Sequence, residues 1–181
     1  MSDLPPMDPN TDEASIEQLR RARVQGEAYG RALDHMVEDV ADGGDELRSG
    51  DYLIGYAIED AEGLYWLEGG ELVWKEPDEE NTHIEITVRD ASDGRFIPGL
   101  DVEVTLVDDT GQEIGTEWHQ FVWHPMLYHY ARNWRVPADG VYKLKVDFEA
   151  PDFGRHDKVN GRRFAEGGHV EFEKVEIDPG S

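Results

Sequence analysis

The stretch Asp101-Val102-Glu103-Val104-Thr105-Leu106-Val107 decides the reading of the fold. Side chains of a strand alternate between two faces. Val102, Val104 and Leu106 therefore share a core face, and Asp101, Glu103 and Thr105 face water. Val141-Tyr142-Lys143-Leu144-Lys145-Val146-Asp147-Phe148 repeats the pattern with lysines on the wet side. Outward from these two runs, further short β-prone runs follow: Tyr52–Ile58, Leu64–Leu67, Glu71–Trp74, Thr82–Arg89, Leu100–Val107, Tyr128–Val136 and His169–Ile177. Turn residues separate them, as in Glu68-Gly69-Gly70, Ser92-Asp93-Gly94, Asp108-Asp109-Thr110-Gly111 and Ala138-Asp139-Gly140. Many short strands without alternating helices predict an all-β sandwich.

Ahead of the β region the periodicity changes. Ser15 and Gln18 have the spacing of a capping box. Ile16, Leu19, Tyr29, Leu33, Met36 and Val40 then recur at mostly helical intervals, interrupted by Gly26 and Gly30, and Gly43-Gly44 is a stop signal. The organisation predicted is a disordered lead over 1–12, an N-terminal helical segment over 13–47 and a β domain over 51–178. The helix reads better as one that packs on the domain than as one that recruits a partner.

The 181 residues carry 41 acidic and 17 basic side chains, a formal net charge of −24. The acids are spread along the chain, which marks a surface adapted to high salt. At molar ionic strength the screening length is only about 3 Å, and self-repulsion is quenched. Nucleic-acid binding is disfavoured, because phosphates would meet a negative field. With no cysteine, thiolate chemistry and thiolate metal sites are excluded. No run approaches the roughly 20 apolar residues of a membrane span. Met1–Asn10 shows no secretory pattern, so a cytoplasmic home is one expectation and a trimmed leader the other.

Seven histidines are present, three of them within Trp118-His119-Gln120-Phe121-Val122-Trp123-His124-Pro125-Met126-Leu127-Tyr128-His129-Tyr130. Imidazole and thioether together suit a copper-type ion; core aromatics with satisfied polar ends are the competing reading. In Thr82–Arg89 the core face is Ile84, Ile86 and Val88, which puts His83, Glu85 and Thr87 together on the other. Arg155-His156-Asp157 follows a strand, and Asp157 is placed to accept a hydrogen bond from His156. Phosphate-cradling loops, serine-nucleophile elbows and the zinc-helix motif are missing, so no enzymatic activity is predicted.

These residues carry a resemblance. His83-Ile84-Glu85, Pro125-Met126, His129-Tyr130-Ala131-Arg132-Asn133 and Phe153-Gly154-Arg155-His156-Asp157-Lys158 stand in the order of four phrases found in the periplasmic, copper-binding proteins associated with high-affinity ferrous-iron transport, a family that includes a spirochaete membrane lipoprotein. The chain resembles a halophilic archaeal-type member over about residues 52–177. The resemblance implies an immunoglobulin-like β-sandwich carrying the N-terminal helix as an addition. It implies a metal site of His83, Met126, His129 and His156 with Glu85 as ligand or support, taking copper (Cu2+/Cu+), with Fe2+ or Mn2+ as alternative ions, and with Asn133 bracing the loop of His129. It also implies an extracytoplasmic role in copper and iron handling without turnover, an iron permease as partner, and a homodimer; the sequence leaves open whether the site is complete within one chain or takes a ligand such as Met126 from the neighbouring subunit. The spacing from Met126 to His129 is shorter than in the family, and His124 competes with Met126 as the ligand. Binding is expected to weaken below about pH 6.5, where free histidine protonates. The other function class is a structural or interaction module of the same fold with no bound metal.

Overall fold

A computed structural model describes residues Met7 to Pro179. Helix α1 spans Ile16–His35 and runs into a single π-helical turn, Met36–Val40. Ten strands follow: β1 Gly43–Ser49, β2 Tyr52–Asp60, β3 Leu64–Glu68, β4 Glu71–Lys75, β5 Thr82–Asp90, β6 Val102–Val107, β7 Glu113–Trp123, β8 Tyr128–Trp134, β9 Gly140–Phe148 and β10 Gly168–Ile177. Eight form one antiparallel ribbon in the order β1-β2-β5-β8-β7-β6-β9-β10, and β3 with β4 forms a separate hairpin.

Strand β7 makes the ribbon into two layers. Its first part pairs with β6 as far as His119, and from Gln120 onward it pairs with β8. The two ends of the ribbon meet again across a seam. The His169 amide of β10 donates to Ser49 Oγ of β1 at 3.2 Å, and the rings of Tyr56 and Phe172 pack edge to face at 4.7 Å. The result is a nearly closed sandwich. Ile84, Ile86 and Val88 of β5 face Val102, Val104 and Leu106 of β6 and Leu144 and Val146 of β9 across one core. The alternation in β6 and β9 that predicted a wet face and a core face is what the burial shows.

Two elements depart from the sequence reading. The segment predicted helical to residue 47 stops earlier: Gly43–Ser49 is an edge strand paired with β2. Gly44 lies against the Tyr56 carbonyl and the Val37 side chain, where a Cβ would clash. Gly44 thus lets the new strand pass close beneath the π-turn. Strand β7 was missed because its histidines and aromatics read as a ligand cluster. Of the predicted disordered lead, residues 1–6 lie outside the described residues. Beyond them, the Asp8 amide donates to Asn160 Oδ1 at 2.9 Å, so this part is docked on the 157–160 turn.

Helix α1 lies on the outer face of the sandwich, as the packing reading expected. Ser15 and Gln18 form the capping box. Tyr29, Ala32 and Leu33 pack on a small cluster of Met36, Ala57 and Leu127, while Ile16 and Val40 stay exposed. Gly26 is a docking notch: a Cβ there would stand 1.8 Å from the Asp93 carbonyl oxygen. The turn it meets contains Gly94 at φ +80°, the left-handed region open to glycine.

His119 belongs to the core. It is 4% exposed, and the Trp134 indole donates to its Nε2 at 3.4 Å. Burial pushes its pKa down to about 3. Below about pH 6.5 the unfolded chain takes up a proton that folded His119 refuses, so this stabilisation is present above 6.5 and lost as pH falls toward 3. Each such proton contributes a slope of about 1.4 kcal/mol per pH unit. In urea unfolding between pH 6 and 4, His119→Gln is expected to lose stability less steeply than the wild type by about one such slope; parallel slopes would refute the assignment. Gly26→Ala is expected to make the amides of residues 16–35 exchange rapidly with solvent while those of β5 and β6 stay protected, and unchanged exchange in the helix would refute the notch.

Candidate metal centre

The register of β5 builds the site. His83 stands opposite Glu59 of β2 and Asn133 of β8, and Glu85 stands opposite Ala57 and Ala131. His129 follows on the same outer face of β8, opposite Val122. Small neighbours on both sides of Glu85 leave room for its side chain. The outcome is three buried polar residues on a face that a surface strand would normally give to water: His83 at 0% exposure, Glu85 at 3% and His129 at 1%.

Their donor atoms converge. His129 Nε2 lies 3.0 Å from Glu85 Oε1, and His83 Nε2 lies 3.9 Å from the same oxygen. The two rings are nearly perpendicular, with centroids 6.3 Å apart. Despite the short approach, neither His129 nitrogen nor His83 Nε2 makes a hydrogen bond. The His129–Glu85 pair satisfies the distance and fails the direction, so it is not a hydrogen bond. Two lone-pair atoms held about 3 Å apart and aimed past each other match ligands of one ion at bond lengths near 2.1 Å.

Asn133 sets the tautomer of His83. Its Nδ2 donates to the Glu62 carbonyl at 2.8 Å, which turns Oδ1 toward the imidazole. His83 Nδ1 lies 2.7 Å from that oxygen and must therefore carry the proton. Nε2 is left with a bare lone pair directed into the site. Asn133 thus braces His83, not the loop of His129. A second-sphere amide of this kind fixes both the orientation and the basicity of a ligand.

Burial dominates the electrostatics. It pushes the His129 pKa down to about 3, helped by the neighbouring His83 and His124. It also lowers that of His83, against the Asn133 hydrogen bond and the Glu62 charge. Burial raises Glu85 to about 8, with Glu59 and Glu62 adding to the rise. Proton competition at the buried histidines therefore sets in well below the expected pH 6.5. A divalent cation would favour the carboxylate form of Glu85. Two imidazole nitrogens and one carboxylate oxygen, shielded from water, suit Cu(II), and also Fe(II) or Zn(II).

The other predicted residues are placed differently. Met126 sits at the tip of the β7–β8 turn, 38% exposed. His124 is half-buried in the same turn, its ring 6.3 Å from that of His129. Its Nδ1 accepts from the Met126 amide at 3.2 Å. The proton of the neutral His124 ring is then on Nε2, so neither nitrogen offers a free lone pair. His156 is exposed and remote. Its loop is tied down by Arg155, which donates to the carbonyls of Pro151 and Phe164, and by Arg163, which bonds Asp90 at 2.5 Å. Asp90 is seven residues along β5 from His83, roughly 23 Å at strand rise. Asp157 accepts from the amides of Val159 and Asn160 instead of His156, so it closes its own turn. The sequence did not single out Glu62, which reaches His83 Nε2 at 3.5 Å from the β2–β3 loop; no periodicity marks a loop residue of this kind.

No protein-family model matches the chain, and no curated protein matches it by sequence. Solved structures do match its fold. FetP of uropathogenic Escherichia coli superposes with a TM-score of 0.58 at 21% identity, covering 74% of this chain and 95% of its own. A copper-bound variant of Campylobacter jejuni P19 gives 0.61 at 16% identity, covering 77% and 99%. A DUF4426 family protein of Pseudomonas aeruginosa gives 0.51 at 15% identity, covering 77% and 98%. The chain therefore shares the β-sandwich fold of FetP and P19 nearly end to end of theirs, and about a quarter of its own length is additional.

Proposed function

We propose that this chain binds a copper ion through His83 and His129 with Glu85, adds Met126 as a soft ligand, and holds the ion for a copper- and iron-handling system without turnover. One observation carries the reading: the buried, hydrogen-bond-free nitrogens of His83 and His129 converge on Glu85. Evolution rarely leaves such groups buried without a partner. Fold neighbours described as copper-bound support the choice of metal. The periplasmic expression of FetP supports an extracytoplasmic setting; the immunoglobulin-like description of the sandwich and a permease-type partner for iron belong to the proposal as the family resemblance implies them. The spread of acidic residues supports a working environment of high salt.

His156 can join this centre only from another chain, given its place at the far end of β5. A homodimer is therefore part of the proposal. Large apolar side chains are exposed in a strongly anionic molecule, among them Trp118 on β7 and Leu67, Leu72 and Trp74 on the hairpin.

Titration of the wild type with Cu(II) at high salt is expected to show one tight equivalent, lost in His83→Ala and His129→Ala. Asn133→Ala should bind about 10- to 100-fold more weakly. Equal, weak binding by the wild type and both histidine variants would leave the metal-free interaction module as the surviving reading. Sedimentation should show a dimer, and His156→Ala should weaken copper binding only at concentrations where the dimer forms.

A further inference from the structure

The three converging donors are buried, so an ion must reach them through a gap in the structure around them. The sides of the centre differ in what they offer. Toward the β2–β3 loop, the Glu62 carboxylate itself stands against His83 Nε2 at 3.5 Å. That loop is fastened in place, because the Asn133 amide donates to the Glu62 carbonyl at 2.8 Å and accepts from its N–H at 3.4 Å. Toward the hairpin, a groove between β3–β4 and the outer face of β7 and β8 reaches Ala131 and Asn133 but is lined by none of the three donor residues. Toward the helix, a cavity of about 210 Å³ lies between the sheet and the π-turn, and Glu85 lines it.

Strand register makes this cavity. Glu85, Thr87 and Arg89 follow one another along the outer face of β5. Ala57 stands opposite Glu85, and Gly55 stands opposite Thr87. On the next strand Gly44 stands opposite Ala57. These small residues lower the face into a trough, which Leu33, Met36 and Val37 roof. A Cβ on Gly55 would stand 2.9 Å from Thr87 Oγ1 and narrow it. The roof includes the π-turn, a rare element found mostly at functional sites. At roughly 30 Å³ per water, the volume takes about seven waters, the size of a small hydrated cation.

The charges run from mouth to floor. Asp34, Glu38 and Asp45 stand exposed at the mouth. Arg89, on the wall, is neutralised by Glu46, which accepts from its Nε at 3.0 Å. At the inner end is Glu85, with Oε1 3.0 Å from His129 Nε2 and 3.9 Å from His83 Nε2. That oxygen is common to both short distances, so an ion arriving at it meets both imidazoles. Acidic rims are commonplace on a chain with 41 carboxylates. This one is distinguished by a carboxylate only 3% exposed at its inner end.

Resting on the reading of His83, Glu85 and His129 as a metal centre, we propose that this trough is the passage by which the ion enters and leaves. Asp34, Glu38 and Asp45 collect the cation at the mouth, and Glu85 receives it and passes it to the two imidazoles. The β2–β3 loop is a wall. The N-terminal helix and its π-turn, as the roof, set how fast the centre loads and not how tightly it binds.

Stopped-flow mixing of the full chain with Cu(II) at high salt, read at the Cu(II)–imidazole absorption, measures loading. The chain has no cysteine, so a single Glu38→Cys can be capped with a bulky maleimide to plug the mouth. The capped variant is expected to load about tenfold more slowly than the wild type or worse. Release to a chelator should slow by the same factor, with stoichiometry and affinity unchanged. Asp34→Lys/Glu38→Lys, which reverses the charge of the mouth without a thiol, should also slow loading. The same cap at Asp78→Cys, on the groove under the hairpin, or at Asp109→Cys, on the β6–β7 turn, should leave both rates alone. Wild-type loading by the capped Glu38→Cys protein overturns the passage and leaves the centre standing, as does slowing by the Asp78→Cys cap instead. A wild type that takes up no copper overturns both.

Discussion

Two opposed faces of β5 hold this structure together. Ile84, Ile86 and Val88 fill the core, and His83 and Glu85 alternate with them on the outside. Strand geometry permits no other split: a slip of one residue would bury the imidazole and the carboxylate in the apolar core and expose the isoleucines. The metal centre therefore inherits its geometry from core packing. Each fully buried isoleucine stabilises the fold by about 1.5–3 kcal/mol, and that energy also fixes the register that sets His83 opposite Asn133. The outer face would be solvent on an ordinary sandwich. Here α1 and the π-turn cover Ala57 beside Glu85, and the β2–β3 loop covers His83, so groups on a nominal surface acquire the environment of an interior.

That environment explains the electrostatics. His129 and Glu85 are displaced in opposite directions from their usual ranges by the same cause, loss of water. Each is pushed toward its neutral form, which makes the imidazoles good lone-pair donors at neutral pH and the carboxylate a poor one until a cation arrives. The net charge of −24 acts on a different scale. It sets the long-range field that attracts cations and is screened by salt within a few ångströms, whereas the buried donors are hardly screened at all.

Much of this was legible in the chain. The alternation in residues 101–107 and 141–148 gave the strands, and the parity of 82–89 placed His83 and Glu85 together. The capping box gave the start of α1. What could not be read depended on tertiary position. Strand β7 has period-2 features, but it changes partner at residue 120 and so has no single wet face along its length. His119 looked like a ligand and is a core residue, because the identity of a histidine does not reveal which side of a two-sheet strand it takes. Glu62 lies in a loop, where spacing carries no information about reach. His156 was grouped with the others by its phrase, yet its loop is anchored by Arg163 and Asp90 at the opposite end of β5, a long-range pairing that no local pattern encodes.

The glycine notch in α1 has a further consequence. A helix resting on a smooth apolar face can slide or roll by a residue at little expense. Gly26 prevents this, since its neighbours Gln25 and Glu27 would drive a side chain into the Asp93 carbonyl. The helix therefore seats in one register, like a key with a single cut. Tyr29, one turn further on, then always delivers its hydroxyl to the Tyr128 carbonyl, the residue before His129. A backbone contact in the middle of the helix thus gauges the position of the β7–β8 hairpin one turn away, and an appended segment with no donor atom in the centre becomes part of its alignment.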